Sequence, residues 1–176
     1  MWPDESRPGY VDCFIFDIDG TLANCKTRAE KFLKKPEGAI HFKDDELGWV
    51  PDWDSFYEQC DLDDPIIGVC RVLGSLIYAG FPILFVTGRP ENVRDKTIDW
   101  LCKTLDMPKS GFMAQCSLFM RGIADHRQDF ELKKQIYNNK IKPYYNVLGV
   151  FEDREQCVQM WRDLGLQCFQ VADGAY

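Results

Sequence analysis

No apolar run in this chain reaches the roughly 18 residues that a membrane-crossing helix requires, and the opening MWPDESRPGY holds no basic stretch followed by an apolar one. Neither a secretion leader nor a membrane span is expected. CxxC pairs are missing as well: the eight cysteines are spread evenly, several inside apolar runs, which suits buried thiols in a reducing, cytoplasmic compartment and gives no support to a zinc site. Histidine occurs only twice. There is no G-x-x-x-x-G-K-[ST] phosphate loop, no internal repeat, no low-complexity tract and no linker. A net charge of −7 argues against broad adhesion to nucleic acid, although a small basic patch on an acidic protein can still hold a few phosphates.

What is present is an alternation of apolar runs and amphipathic segments. VDCFIF (11–16), FPILFVTGRP (81–90), AQCSLFMRG (114–122), NVLGVFED (146–153) and QCFQVA (167–172) have the length and composition of buried strands. Between them, residues 64–80 offer Asp64 as N-cap, Pro65 at the first helical position and Gly80 as the stop of a helix. ENVRDKTIDWLCKTL, DFELKKQIYNNKI and REQCVQMWRDLG read as three more. Strands separated by helices predict an α/β, Rossmann-like three-layer fold around a central parallel sheet. A single domain over 1–176 is expected, long enough to bury roughly two thirds of its unfolded surface. From Ala23 to about Asp61 the period is lost among prolines, glycines, tryptophans and acids, and this stretch reads as an insertion.

In an open parallel sheet the residues just past the carboxyl ends of the strands face one crevice. Here they are Asp17 and Asp19 after the first strand, Thr87, Gly88 and Arg89 after the second, and Glu152, Asp153 and Arg154 after a later one. Singly, each has a structural explanation: DxDG as an Asx-turn, Arg89 as a solvated charge, Glu152-Asp153 as a helix cap. Their conjunction changes the odds, because three acids in one crevice repel strongly at low dielectric unless a cation lies among them. Oxygen donors without His or Cys suit a hard ion such as Mg²⁺ shared with a phosphate.

FDIDGTLA, FVTGR, a downstream lysine and FED, in that order, resemble motifs I to IV of the haloacid dehalogenase-like phosphohydrolase superfamily. More narrowly, the C-terminal half, from DHRQDFELKK to QVADGAY, resembles the 3′-phosphatase domain of T-even phage polynucleotide kinase/phosphatase. The resemblance implies a phosphomonoesterase working through an aspartyl-phosphate, with Asp17 as nucleophile and Asp19 as the acid and then the base. It matches Thr87 to the hydroxyl that meets the transferred phosphoryl group and Lys133 to the lysine that neutralises it, with Lys134 as the alternative because KK leaves the register open. It implies Mg²⁺ held by Asp17, the main-chain carbonyl of Asp19 and Asp153. Glu152, standing where the phage enzyme has aspartate, is expected to act through water or a hydrogen bond. Arg28, Gly88, Arg89, Asp129 and Arg154 are implied as substrate-binding. From unperturbed values, Asp17 is expected to be ionised at neutral pH, and Asp19 to be held partly protonated by its neighbours or to lend its proton from a metal-bound state.

Arg28 lies in CKTRAEKFLKK, where Lys26, Lys31, Lys34 and Lys35 form a local basic face, either a solvated helix surface or a substrate-phosphate clamp. The segment between motifs I and II is longer than in the phage phosphatase and holds Trp49, Trp53 and Phe56; in the superfamily, insertions at this point form caps that choose the substrate. The reading that follows is a cytoplasmic, Mg²⁺-dependent polynucleotide 3′-phosphatase without a kinase domain, acting on 3′-phosphorylated DNA or RNA ends in nucleic-acid repair. A phosphatase of nucleotides or other small molecules is the alternative, and a non-catalytic protein that binds phosphorylated ends is less favoured. DNA or RNA preference, and a separate kinase or ligase partner, stay open.

Overall fold

The computed structural model describes residues 9–34 and 50–174, so Lys35 and Trp49 lie outside the described residues. Along the chain run β1 (Val11–Phe16), β2 (Ala23–Asn24), α1 (Lys26–Phe32), α2 (Trp53–Glu58), β3 (Asp64–Pro65), α3 (Ile67–Tyr78) and β4 (Ile83–Pro90). A 3-10 turn then leads into α4 (Arg94–Thr104), followed by α5 (Lys109–Gln115), β5 (Cys116–Arg121), α6 (Asp129–Ile136), β6 (Tyr145–Glu152), α7 (Glu155–Asp163) and β7 (Cys168–Gln170).

Five strands pair in parallel in the order β5-β4-β1-β6-β7. Alternate side chains leave opposite faces, and here both faces are covered. Phe16, Ile83 and Phe85 enter one core with Leu73 of α3, Leu101 of α4 and Phe112 of α5. Cys13, Ile15, Leu84, Val86 and Val150 enter the other with Val158 and Trp161 of α7. This is why the strands read as continuous apolar runs, and burial of a side chain such as Phe85 contributes about 1.5–3 kcal/mol. The expected three-layer α/β architecture is the one observed. Among the described residues no helix is long and apolar enough to cross a membrane.

Two local expectations are corrected. Asp64 and Pro65 do not start α3; they pair with Ala23 and Asn24 in a two-stranded ribbon, and Ile66, extended and without a side-chain cap, precedes the helix. A hydrogen bond from Ile66 N–H to the Leu22 carbonyl, 2.7 Å, holds that entry, so tertiary pairing overrides the capping signal. The short α5 was not expected at all. Its seven residues include Gly111 and too few apolar positions to show a period, but Phe112 stacks on Phe85 with centroids 5.8 Å apart.

β1 lies between β4 and β6, so connections depart to both sides and the carboxyl ends of these three strands open onto one crevice. The described parts of the insertion, α1 and α2, pack together beside that crevice through Cys25, Ala29 and Phe56, with Phe32, Leu33 and Tyr57 against them.

Candidate active site

Asp17 follows the last residue of β1 and is 4% exposed. Its Oδ1 accepts a hydrogen bond from Lys133 Nζ at 2.8 Å, and the same ammonium donates to Glu152 Oε2 at 2.8 Å and lies 3.1 Å from Asp129 Oδ2. Asp129 opens α6 and Lys133 follows four residues later on the same helix face, which brings both to the crevice. Lys134, one position on, points into solvent, so Lys133 is the lysine that enters this centre. Carboxylate oxygens of Asp17, Glu152 and Asp153 lie within 4.8 Å of one another. Asp153 Oδ1 accepts from Thr21 Oγ1 at 3.2 Å, and Glu152 also accepts from the Asp153 N–H and the Trp161 indole.

Three carboxylates therefore surround one ammonium, with Asp153 a fourth acid beside them. Burial pushes the Asp17 carboxyl well above its ordinary range; Lys133 opposes the rise, while Glu152 and Asp129 add to it. Glu152 is raised for the same reasons, burial first, against Lys133. The expectation that Asp17 is ionised on its intrinsic acidity is thus corrected: buried among like charges, it needs more positive charge than one lysine supplies. A buried, oxygen-only donor set with excess negative charge fits Mg²⁺.

Asp19 is placed differently. Arg89 Nη2 and Nε donate to its Oδ1 at 2.6 and 3.0 Å, and Arg28 Nη2 bonds the same oxygen. Burial alone would raise this carboxyl, but Arg89 and Arg28 outweigh it and hold it below the usual carboxylate range. A partly protonated Asp19 is therefore not the resting state. Arg28 also forks onto Asp63, with Nε 2.8 Å from Oδ1 and Nη2 2.7 Å from Oδ2, gives Nη1 to the Phe56 carbonyl at 3.0 Å, and lies 4.0 Å above the Phe56 ring. Arg89 completes its own set with Thr97 Oγ1 at 3.3 Å. Both arginines were expected to grip substrate; in the structure they are buried behind Asp19 and do not line the cleft. The basic-face reading of α1 splits accordingly, with Arg28 turned inward and Lys26, Lys31 and Lys34 exposed.

Above this floor opens a cavity of about 620 Å³, lined by Asp17, Asp19, Thr87 and Gly88, by Trp53 and Tyr57 of α2, and by Arg121 and Arg127. Thr87 Oγ1 accepts from the Arg89 N–H at 3.2 Å. Gly88 is a spatial requirement: a Cβ there would stand 2.6 Å from Asp129 Oδ1. Arg154 is at the rim, its Nη1 4.0 Å from Asp129 Oδ2.

Sequence reasoning missed three supporting residues. Thr21 belongs to the DGT turn and could have been found from it. Asp63 sits in DLDDP among acids of identical composition, of which only burial distinguishes it. Arg121 closes β5, donating to the carbonyls of Gly88, Asp125 and Arg127 and to Asp129 Oδ1.

Comparison with known proteins fits this geometry. Residues 53–176 match the family model of the polynucleotide kinase PNKP phosphatase domain, a stretch that holds Thr87, Lys133 and Asp153. A protein of Autographa californica nuclear polyhedrosis virus, described as a bifunctional polynucleotide kinase/RNA ligase, is 38% identical over 82 residues, covering 47% of this chain and 11% of that protein. A chain in the structure of the Pnkp1/Rnl/Hen1 complex superposes over 98% of this chain and 49% of its own, with a TM-score of 0.70 and 25% identity. A class C acid phosphatase from Bacillus anthracis shares the fold, with a TM-score of 0.60 at 12% identity over 95% of this chain and 68% of its own. The chain thus spans about half the length of the Pnkp1/Rnl/Hen1 complex chain and a small part of the viral protein. Through residues 53–176 it belongs to the family of polynucleotide kinase PNKP phosphatase domains, haloacid dehalogenase-like hydrolases of phosphate esters.

Proposed function

We propose that the protein is a Mg²⁺-dependent phosphomonoesterase that forms an aspartyl-phosphate on Asp17 and acts on the 3′-phosphorylated ends of DNA or RNA. One observation carries this reading: a buried Asp17 at the floor of the cleft, 2.8 Å from Lys133 Nζ and grouped with Glu152 and Asp153, beside an Asp19 held by two arginines. Asp17 and Asp153, with Glu152 next to them and the Asp19 carbonyl nearby, would hold the Mg²⁺. When bound, that ion would neutralise the surplus carboxylate charge and shield phosphate oxygens from the attacking anion.

In the first half-reaction an Asp17 carboxylate oxygen attacks phosphorus and the bond from phosphorus to the ester oxygen breaks. Asp19 gives its proton to that oxygen, which leaves as the 3′-hydroxyl. In the second, Asp19, now a carboxylate, takes a proton from water while the water oxygen attacks phosphorus; the phosphorus–Asp17 bond breaks and inorganic phosphate departs. Asp19 rests as an anion under its arginines, so it takes up its proton only when an anionic phosphate lies against it and raises its affinity for one. Lys133 aims Asp17 and supplies part of the positive charge that its carboxylate form needs, the Thr87 hydroxyl meets a phosphoryl oxygen, and Glu152 fixes the position of Lys133.

Similarity to a polynucleotide kinase/RNA ligase and to a chain of an RNA repair complex supports nucleic-acid ends as substrate and a kinase or ligase as functional partner. The test is phosphate release from an oligonucleotide carrying a 3′-phosphate, the same oligonucleotide carrying a 5′-phosphate, and a free 3′-nucleotide, each with Mg²⁺ and with excess chelator. The 3′ end with Mg²⁺ is expected to give the highest kcat/KM, and chelation to abolish it. Faster turnover of the free nucleotide would reassign the protein to small-molecule phosphatases, and no turnover of any ester would leave a protein that only binds.

A further inference from the structure

Two stretches of chain that line the cleft are unlike. On the α2 side the Trp53 side chain is 45% exposed, yet its ring is fixed, stacked on Tyr57 with centroids 5.9 Å apart and edge-on to Phe56 at 5.6 Å. Phe56 is in turn buried beneath the Arg28 guanidinium that binds Asp19, so this aromatic platform is tied to the catalytic floor. Asp52 and Asp54 flank it, making that side unfavourable to a phosphate. The loop after β5, braced by Arg121, brings His126 and Arg127 to the lining of the same cavity; the Arg127 side chain is 42% exposed and its Nε donates to Asp125 Oδ1 at 2.8 Å. A fixed, exposed ring and an exposed guanidinium lining one cavity match the two parts of a nucleotide, base and phosphodiester.

Building on the reading of the protein as a polynucleotide phosphatase, we propose that the nucleoside bearing the terminal phosphate stacks its base on Trp53 while the next phosphodiester runs along His126 and Arg127. An exposed tryptophan alone could be the edge of the cap's own packing; what points to a ligand is that the ring lines the same cavity as Asp17, Asp19 and the exposed Arg127 guanidinium. Such a platform favours a base over no base without reading which base, because every base offers a π face. The acids set the orientation: Asp125 and Asp129 are paired with Arg127 and Arg121, whereas among the described residues Asp52 and Asp54 beside Trp53 form no ion pair, so the backbone runs on the arginine side.

The experiment compares an oligonucleotide whose 3′-phosphate sits on an ordinary nucleotide with one whose terminal residue is abasic, and reads the ratio of the two kcat/KM values. In the parent the ratio is expected at roughly 5- to 150-fold, the range of one base–aromatic stack. Trp53→Ala is expected to bring it near one, and Trp53→Phe, which keeps a ring and the cap's packing, to hold it well above the alanine value. A ratio near one in the parent, or a ratio unchanged in Trp53→Ala, overturns the platform while leaving the 3′-phosphatase reading intact. Arg127→Ala is expected to lower kcat/KM on the oligonucleotide and make its salt dependence shallower by about one counterion; an unchanged slope overturns the placement of the backbone. Hydrolysis of a small aryl phosphate with no turnover of either oligonucleotide overturns the substrate reading and the platform together.

Discussion

Asp17 and Asp19 are two residues apart and chemically identical, yet their surroundings push them in opposite directions. Asp17 shares one ammonium with Glu152 and Asp129 and is driven toward the neutral form by burial, whereas Asp19 is held by two guanidiniums, one of them also forked onto Asp63, and stays charged. An acid that rests as an anion must gain its proton with substrate in place, and this has a kinetic signature. Asp19→Asn is expected to lose far more activity on an alkyl phosphate than on nitrophenyl phosphate, whose leaving group needs no proton. Parental kcat/KM on the alkyl ester should fall as pH rises, because the protonated form is the one required. Equal losses on both esters would argue against the acid role. Arg28 acts one step removed. Arg28→Ala strands Asp63 and weakens the hold on Asp19, both buried, at a cost of about 3–5 kcal/mol, or a Tm lower by roughly 10 °C. Arg28→Lys keeps the charge and loses the fork, so it should be the more stable of the two variants while losing activity on oligonucleotides and small esters alike. A loss confined to oligonucleotides would return Arg28 to the role of a substrate clamp. The spacing from Asp19 marked Arg28 in the sequence; its partner Asp63 was not legible, because which of several adjacent acids is buried is decided by the cap's packing.

At the scale of elements, the strands were legible because both sheet faces are covered and each strand is apolar throughout. β4 is the clearest case, its Ile83 to Val86 run buried without interruption before Thr87. The helices packed on the sheet were legible by period, and α5 was not, being a single stacked phenylalanine with little around it. The end of the described chain holds a constraint that no pattern reveals. Beyond β7 it passes so close to the loop after β6 that a Cβ on Gly174 would stand 2.6 Å from the Arg154 Cα and 2.9 Å from the Asp153 carbonyl carbon. These are backbone atoms and cannot turn aside as a side-chain end can. Gly174→Ala should therefore shift Asp153, raising the Mg²⁺ concentration needed for half-maximal activity several-fold with little change in Tm. An unchanged metal requirement would show that the loop relaxes without moving Asp153.

Across the whole molecule the sheet order does what no local stretch can do. It sets Asp17, Thr87 and Glu152-Asp153 on adjacent strand ends, and it leaves room beside them for α1 and α2. The order of motifs along the chain made this convergence legible, while the meeting of Trp53 and Arg127 in one cavity depends on how the insertion packs and was not. With a net charge of −7 the molecule does not draw a polyanion by its overall field, so its selectivity rests on contacts inside the cleft. In the proposed reaction all of these contacts serve one event, transfer of the phosphoryl group to Asp17. The most direct measurement is acid quench during turnover of a substrate labelled in its phosphate, followed by location of the label in the protein. The account predicts label on the peptide containing Asp17, increased in Asp19→Asn with nitrophenyl phosphate because hydrolysis of the intermediate stalls, and absent from Asp17→Asn, whose activity should fall by roughly 10⁴-fold or more. Steady turnover with no label on the protein, label on another residue, or an Asp17→Asn enzyme within tenfold of the parent would contradict it.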